Sequence, residues 1–179
     1  AIAAGIPFNY PLSNPEDQWG DANRANPYQR SKILSERAAW DFVEQEKAAG
    51  NKVFELVAIN PALVIGPPLG SAWATSHKVP RSILFGEVPC LADFYIGVVD
   101  VRDVALAHVR AANVPEAAGK RFCLQSESVH AMEWSRILGE EFGKFGYKRV
   151  KRMAPKKLFW LASKVSQELA ELYPDVDKG

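Results

Sequence analysis

The chain has 179 residues, of which 47% are hydrophobic and 24% charged, with a formal net charge of +1. A chain of this length can bury a sizeable core, and its near-neutral balance argues against a nucleic-acid or membrane-surface partner. No apolar run approaches the roughly 18 residues that span a bilayer. Cys90 and Cys123 lack the spacing of metal ligands or of a disulfide framework. These features predict a soluble, cytoplasmic protein without a metal site.

Residues 5–26 are rich in proline, asparagine, aspartate and glycine, which favour turns and irregular backbone. The pattern predicts a long loop, and loops of this length tend to be functional or disordered. Phe8, Tyr10 and Trp19 supply aromatic side chains that can anchor the loop near a site.

The chain is organised around the helix that follows this loop. Asn26 and Pro27 are typical of a helix N-cap and a first helical position, and Gly50 is typical of a helix end. A helix is therefore predicted over residues 27–49. Three apolar residues recur at helical spacing and predict a core-facing stripe. They are Leu34, Ala38 and Phe42.

Tyr28 and Lys32 lie four residues apart at the start of this helix, so the phenol and the ammonium share one face. A nearby ammonium favours the phenolate and lowers the pKa of a phenol, which is about 10 in water. Tyr28 could then give a proton to a carbonyl oxygen or take one from an alcohol. The same spacing also fits an ordinary amphipathic helix, so the pair alone leaves both interpretations open.

Val53–Ile59 is a nearly continuous apolar run, typical of a strand that is covered on both faces in a parallel sheet. A helix joined to such a strand by a short turn is a unit of a doubly wound α/β fold. Ligands of that fold bind beyond the carboxyl ends of the strands, where residues 60–68 are expected to lie. Their glycine and prolines mark either a close approach of backbone to a ligand or an ordinary strand-to-loop turn.

Residues 69–97 are predicted to leave the sheet and to contain one short helix at 80–85. Asp100 is a good N-cap for the helix that follows, and Asp103 lies in its first turn, where the helix dipole favours a carboxylate. His108 shares a face with small apolar residues of this helix, which predicts a packed rather than a catalytic side chain.

A strand at 121–125 and a helix at 129–142 follow. Residues 144–157 then contain seven basic residues and no acidic one. Such a cluster is either a phosphate or nucleic-acid site or a solvated face, and on a near-neutral chain the solvated face is favoured. Pro155 is predicted to begin a final amphipathic helix that runs to Leu172.

Three motifs in this order resemble the extended short-chain dehydrogenase/reductases. They are Asn-Pro-Tyr-x-x-Ser-Lys at 26–32, Asn-Pro-x-x-Val-x-Gly-Pro at 60–67 and Val-Asp-Val-Arg-Asp-Val-Ala-x-Ala-His at 99–108. Within that superfamily they look most like the branch of dihydroflavonol reductases, cinnamoyl-CoA reductases and related aldehyde or ketone reductases. The resemblance runs from residue 1 to about residue 178.

The resemblance implies an α/β fold, the C-terminal part of a Rossmann-like doubly wound parallel sheet plus a small substrate-binding lobe. Residues 1–70 and 98–112 would belong to the dinucleotide-binding domain, and residues 71–97 and 113–179 to the substrate-binding lobe. In the family, a glycine-rich pyrophosphate turn and a carbonyl-polarising serine would precede residue 1. We therefore expect the 179 residues by themselves to be an inactive C-terminal fragment of a reductase.

The resemblance also implies roles by position. Tyr28 would be the catalytic acid/base, and Lys32 would bind the nicotinamide ribose while holding down the pKa of Tyr28. The expected cofactor contacts are Tyr28, Lys32, Pro61, Ala62, Leu63, Val64 and Ser76. The parent enzyme would reduce a small aromatic or aliphatic carbonyl compound, or oxidise the alcohol, with NADPH as the cofactor and NAD as the alternative.

Two other functions share these residues. A sugar-nucleotide epimerase or dehydratase of the same superfamily would also use Tyr28 and Lys32, whereas a non-catalytic dinucleotide-binding interaction protein would need only the fold. The apolar strand at Val53–Ile59 would expose an edge if preceding strands were missing, and such edges pair with other chains. We therefore expect self-association with a second copy.

Overall fold

The structure is a computed structural model that describes residues 15–23, 25–70 and 75–155. The chain forms two compact units. The first contains the described residues up to Pro67 together with Gly97–Glu127, and the second contains Pro68–Ile96 with the described residues from Ser128 onwards. Helices alternate with parallel strand pairs, which confirms the predicted α/β class.

Helix α1 (Pro27–Ala48) begins where the sequence predicts it. The Asn26 side chain accepts a hydrogen bond from the Gln29 backbone N–H at 2.8 Å, and the Gln29 side chain accepts one from the Asn26 N–H at 3.3 Å. This reciprocal capping box satisfies backbone donors that the helix leaves free. The helix is followed by Gly50, whose φ of +78° lies in the left-handed region that favours glycine.

The strands of the first unit pair in parallel. β1 (Ala58–Pro61) pairs with β4 (Arg121–Leu124), and β2 (Leu63–Ile65) pairs with β3 (Tyr95–Asp100). Only Ala62 separates β1 from β2, so the strand partner of the chain changes from β4 to β3 at this residue.

The predicted strand at Val53–Ile59 is wrong in its limits and in its burial. The ladder begins at Ala58, because Ala58 lies opposite Arg121, where β4 starts. β1 is half-buried throughout rather than covered on both faces. Its ladder partner is β4 alone within the described ranges.

The predicted core-facing stripe of α1 is also wrong. Leu34 and Phe42 are 46% and 49% exposed, whereas Ile33 and Val43 are only 1% and 3% exposed. Both stripes have helical spacing, so spacing alone cannot choose between them. Glu36 lies on the same side as Ile33 and Val43, and its contacts in the first unit decide which side turns inwards.

Asp100 ends β3 and caps α3 (Val101–Asn113) by accepting a hydrogen bond from the Arg102 backbone N–H at 2.8 Å, as predicted. The sequence did not indicate β3 itself. The prediction that His108 is packed is wrong, because His108 is exposed and its Nδ1 lies 2.8 Å from the Val104 carbonyl oxygen. The helical spacing that His108 shares with Val104, Ala107 and Ala111 therefore does not bury it, and within the described ranges α3 has no fully buried residue.

In the second unit, α2 (Lys78–Leu84) packs against α4 (Ala131–Phe142), which lies close to its predicted limits. A strand that the sequence did not indicate, β5 (Glu127–His130), is hydrogen-bonded beside β3 and leads into α4. The core is formed by Ile83, Leu91, Ala131 and Val150. Single 3-10 turns lie at Pro15–Asp17, Thr75–His77, Pro115–Ala117 and Gly143–Phe145.

The limits of the units differ from the predicted domains most over residues 113–127, and also at residues 68–70 and 97. Residues 113–127 were expected in the second lobe, but they belong to the first unit because β4 pairs with β1. The assignment of the units to dinucleotide and substrate binding stays a prediction. Phe8 and Tyr10 lie outside the described residues, as does the predicted final helix beyond Pro155.

Across the described ranges, no helix combines the length and the apolar character that a membrane crossing requires. The same ranges contain no group of three or more histidine, cysteine, aspartate or glutamate side chains that could hold a metal ion. Cys90 and Cys123 are free thiols, as the sequence predicts.

Gly66 lets the chain leave β2 close to the start of α3. Its φ is +134°, and a Cβ added there would lie 2.8 Å from Cγ1 of Val101 and 3.4 Å from Oδ1 of Asp100. The atoms that lie close to Gly66 thus belong to the protein and not to a ligand. Packing against α3 therefore accounts for the glycine at this bend.

We expect Gly66→Ala to lower the free energy of unfolding by about 1–3 kcal/mol, because it combines an unfavourable φ with a steric clash. Urea unfolding followed by circular dichroism measures the change. Gly70→Ala is the matched control, since a Cβ at Gly70 meets no atom within 4 Å and its φ lies outside the glycine region. Equal stability of the two variants would contradict the strain at Gly66.

Candidate active site

Tyr28 and Lys32 lie together at the start of α1. The Lys32 Nζ is 5.5 Å from the centroid of the Tyr28 ring, and Tyr28 is 56% exposed. The Ser31 hydroxyl donates a hydrogen bond to the Tyr28 carbonyl oxygen at 2.7 Å, which tightens this first turn. In the part of the chain that the structure describes, neither the Tyr28 hydroxyl nor the Lys32 ammonium has a hydrogen-bond or ion-pair partner. Both groups are therefore available to a ligand.

Glu36 continues the line of Tyr28 and Lys32 one turn further along α1. Its carboxylate accepts hydrogen bonds from the Arg121 guanidinium, at 2.7 Å to Oε1 and 3.2 Å to Oε2. The side chains of Arg121 and Glu36 are only 9% and 12% exposed. This two-point, nearly buried ion pair ties the helix that carries Tyr28 to the first residue of β4.

Glu36 also contacts two further groups of the first unit. The Asn60 side chain donates to Oε1 of Glu36 at 3.4 Å, and the Trp40 indole N–H donates to the same oxygen at 3.4 Å. Asn60 belongs to β1, next to the predicted cofactor residues. Glu36 therefore connects the helix that carries Tyr28 and Lys32 to both parallel strands.

The pKa of Glu36 results from opposing effects. Burial raises it, but the hydrogen bonds and the charge of Arg121, with those from Trp40 and Asn60, outweigh burial and leave it below its ordinary value of 4.5. The carboxylate form is thus favoured in the folded protein.

Arg121 holds the segment before α1 as well as α1 itself. Its Nη1 donates to the backbone carbonyl oxygens of Glu16 and Gln18, both at 2.8 Å. Its guanidinium carbon lies 3.9 Å from the centroid of the Trp19 ring, and that of Arg37 lies 5.3 Å from it. Trp19 is therefore an anchor for the loop, as the sequence suggested, and cation–π contacts are what hold it.

The predicted nicotinamide edge is a bend between β1 and β2. Pro61, Ala62, Leu63 and Val64 are all half-buried. The Ala62 N–H donates to the Leu124 carbonyl oxygen at 2.8 Å, so the bend is held by β4 while the next residues turn to β3. Bends where neighbouring connections diverge at carboxyl ends of parallel strands are the usual ligand sites of open α/β sheets.

Gly97 of β3 allows other side chains to pack closely beside this bend. A Cβ added at Gly97 would lie 3.4 Å from the Ala62 Cβ and 2.3 Å from Oε1 of Gln125. The side chain of Gln125 therefore reaches the bend because position 97 has no side chain.

Asp100 lies opposite Ile65, the last residue of β2. Its carboxylate accepts hydrogen bonds from the Arg102 side chain at 2.7 and 2.9 Å. These bonds, and one from the Arg102 backbone N–H, lower the pKa of Asp100 to about 2. Both oxygens of the Asp100 carboxylate therefore accept hydrogen bonds from Arg102, and these bonds stabilise the start of α3.

Ser76 lies in the second unit, in the 3-10 turn Thr75–His77 just before α2. It is half-buried. The structure thus brings the other predicted site residues into one unit and leaves Ser76 in the other, and its cofactor contact stays a prediction.

No sequence pattern predicts the hydrogen bonds of Arg121. Glu36 follows Lys32 by four residues, so the two share one face of α1. This spacing is the sequence feature that could have identified Glu36. Arg121 stands 85 residues away along the chain, so no local pattern relates the two residues.

Several known proteins with similar sequences or structures are reductases by name. Cinnamoyl-CoA reductase 2 of Arabidopsis thaliana is 38% identical over 134 residues, which cover 73% of this chain and 38% of that protein. NADPH-dependent methylglyoxal reductase GRE2 of Saccharomyces cerevisiae is 30% identical over 144 residues, covering 73% and 42%. The structure of Gre2 from Candida albicans in complex with NADPH is similar with a TM-score of 0.62 and 30% identity, covering 76% and 44%. No family model matches the chain.

The chain belongs to the extended short-chain dehydrogenase/reductase superfamily. Its parallel α/β architecture matches part of the Rossmann-like fold of these reductases, as the sequence predicts. The chain spans about two-fifths of the length of the curated relatives it matches. Within this superfamily, the individual roles expected for Tyr28, Lys32 and residues 61–64 stay predictions.

We expect Glu36→Gln to lower the free energy of unfolding by roughly 3 kcal/mol, because Arg121 would keep its charge in a nearly buried site without a counter-charge. Glu44→Gln is the matched control, since Glu44 pairs with Lys47 on the same helix but is 73% exposed. Thermal or urea unfolding at pH 7 compares the variants. Equal losses would show that the buried pair contributes no more than a surface pair.

The pH dependence of stability follows from the lowered pKa of Glu36. Because the folded-state pKa lies below the ordinary 4.5, ionised Glu36 favours folding above about pH 4.5 and this contribution is lost as the pH falls below that value. We expect the stability difference between wild type and Glu36→Gln to shrink between pH 5 and pH 3, as urea unfolding at about five pH values would measure. A constant difference across this range would contradict the assignment.

Proposed function

We propose that this chain carries the proton-transfer residues, and part of the nicotinamide site, of an NADPH-dependent carbonyl reductase. The observation that carries the proposal is the exposed Tyr28 phenol with the Lys32 ammonium 5.5 Å from its ring, at the capped start of α1. The pair lies in the same compact unit as the Ala62 bend. Support comes from the relatives, whose names describe reductases.

The residues of the first unit fit a dinucleotide. Lys32 offers N–H donors that have no partner among the described residues, and ribose hydroxyls are suitable acceptors for them. The bend at Pro61–Val64 presents half-buried apolar residues at the carboxyl end of a parallel strand. The preference for NADPH rests on the names of relatives, one described as NADPH-dependent and one solved with NADPH. A bound reduced nicotinamide would supply the hydride.

The chain's own contribution to the reaction is the proton. The Tyr28 hydroxyl would donate its proton to the carbonyl oxygen of the substrate as the carbonyl carbon is reduced. The Lys32 ammonium, held near the ring by one helical turn, would stabilise the negative charge left on the phenol oxygen. Tyr28 is 56% exposed, so a substrate would reach this residue without movement of α1.

The proposed substrate is a small aromatic or aliphatic carbonyl compound, or the corresponding alcohol in the reverse direction. The second unit would shape its pocket, and Ser76 would contact the cofactor. We also propose self-association, because the described residues give β1 a strand partner on one edge only. Light scattering that shows a monomer at all concentrations would count against this last point.

Substituting Tyr28→Phe in the complete natural polypeptide tests the proposal. Because the ring stays and only the proton donor is lost, kcat for NADPH-dependent reduction of aromatic and aliphatic aldehydes should fall by about 10²–10⁴-fold. The NADPH affinity, measured by fluorescence titration, should change by less than about twofold.

Tyr147→Phe is the matched control, since this ring packs against Phe85 and Phe142 in the second unit and should leave kcat unchanged. An unchanged kcat in Tyr28→Phe would favour a non-catalytic binding protein. Turnover of a sugar nucleotide without net consumption of NADPH would favour the epimerase alternative.

A further inference from the structure

A second group of charged side chains lines a cavity of about 500 Å³ in the second unit, and this cavity is open to solvent. The cavity lies between the first turns of α4 and the extended segment that follows the 3-10 turn at Gly143–Phe145. Its charged lining residues are His130, Glu133, Arg136, Arg149 and Lys151. A volume of this size suits a small molecule.

The charges of the lining do not cancel. Arg136 is neutralised by ion pairs with Glu133 and Glu140, which are its neighbours on α4. Arg149 and Lys151 have no ion pair or hydrogen bond to any residue that the structure describes. Neither cation therefore has a partner among the described residues, and the three cations of this group outnumber its two carboxylates by one.

The histidine of this cavity has a fixed role. Its Nδ1 accepts a hydrogen bond from the Met132 N–H at 3.2 Å and caps α4, and its Nε2 lies 3.2 Å from Oδ1 of Asp93. Both ring nitrogens of His130 are therefore occupied. The cations available to a ligand are Arg149 and Lys151.

The backbone between these two cations is fixed on α4. Ser135 is fully buried, and its hydroxyl donates to the Val150 carbonyl oxygen at 2.9 Å. Val150 itself is buried in the core of the unit. On its other side the segment continues into hydrogen bonds with Leu91, whose N–H donates to the Arg152 carbonyl oxygen at 2.9 Å.

The stem of Arg149 is positioned by a glycine in the middle of α4. A Cβ added at Gly139 would lie 2.5 Å from Cβ of Arg149 and 3.2 Å from its Cγ and Cδ. Glycine in a helix interior is unfavourable, and here it lets the arginine stem lie directly on the helix. A side chain held in this way loses less entropy when it binds a ligand.

We propose that this cavity binds a small anionic molecule through a phosphoryl or carboxylate group held by Arg149 and Lys151. The planar guanidinium can make two parallel hydrogen bonds to an oxyanion, and the ammonium adds a point charge two residues away. The proposal rests on the second unit alone and does not depend on the proposed reductase activity.

The proposal also divides the basic run of residues 144–157. Its five described basic residues are all exposed, as the solvated-face interpretation expects. Only Arg149 and Lys151 of these five line the cavity. The structure thus assigns a ligand to two of them and leaves the others as surface charges.

The test compares two double variants that remove the same charge from the same run. Arg149→Gln with Lys151→Gln removes the cavity cations, and Lys144→Gln with Lys148→Gln removes two exposed cations outside the cavity lining. All four side chains are exposed, so both proteins should keep the wild-type unfolding midpoint. Binding of inorganic pyrophosphate, and separately of succinate, is measured by calorimetry at constant ionic strength.

We expect the cavity variant to bind at least about tenfold more weakly than wild type, because charge-assisted hydrogen bonds are lost, while the surface variant changes by less than about twofold. Tighter binding of pyrophosphate would identify a phosphoryl ligand, and tighter binding of succinate a carboxylate ligand. Gly139→Ala, which displaces the stem of Arg149, should weaken binding in the same direction. Equal losses in the two double variants, or no binding of either anion by wild type at about 10 mM, would overturn the proposal.

Discussion

The ion pair between Arg121 and Glu36 is the interaction on which the first unit depends. One guanidinium binds a carboxylate of α1, two backbone carbonyl oxygens of the segment before α1 and the face of Trp19, and it does so from the first residue of β4. Burial of such a pair is costly unless its hydrogen bonds are satisfied, and here they are. The pair therefore selects a single orientation of α1, with Ile33 and Val43 inwards and Leu34 and Phe42 outwards.

The orientation of α1 has consequences for chemistry. Lys32 lies one turn from Glu36 and Tyr28 lies two turns away, so the contact that fixes the helix also fixes these two residues relative to β1 and β4. The capping box at Asn26 keeps the first turn formed, although Tyr28 is exposed there. A proton donor needs a fixed position, because a small displacement of the donor from the reacting oxygen lowers the reaction rate strongly.

Glycines in both units permit close contacts that a larger residue would prevent. Gly66 passes beside Val101 at the start of α3, and Gly139 accommodates the stem of Arg149 on α4. In the first case the contact lies just after β2, and in the second it places on α4 the stem of a cation that lines the cavity. Neither contact involves neighbours in sequence. A glycine in the sequence can therefore indicate a close contact with its backbone, but it does not identify the residue that makes the contact.

The sequence by itself determined the features that depend on neighbouring residues. Short motifs predict the caps of α1 and α3 and the helix end at Gly50, because hydrogen bonds at helix ends join residues two or three positions apart. Short motifs also predict the Tyr28–Lys32 pair and the superfamily. Tertiary structure decided which stripe of α1 is buried, where β1 begins and which cations of the basic run share a cavity. Each of these depends on a partner far along the chain, as Arg121 is 85 residues from Glu36, and helical or strand spacing contains no information about such a partner.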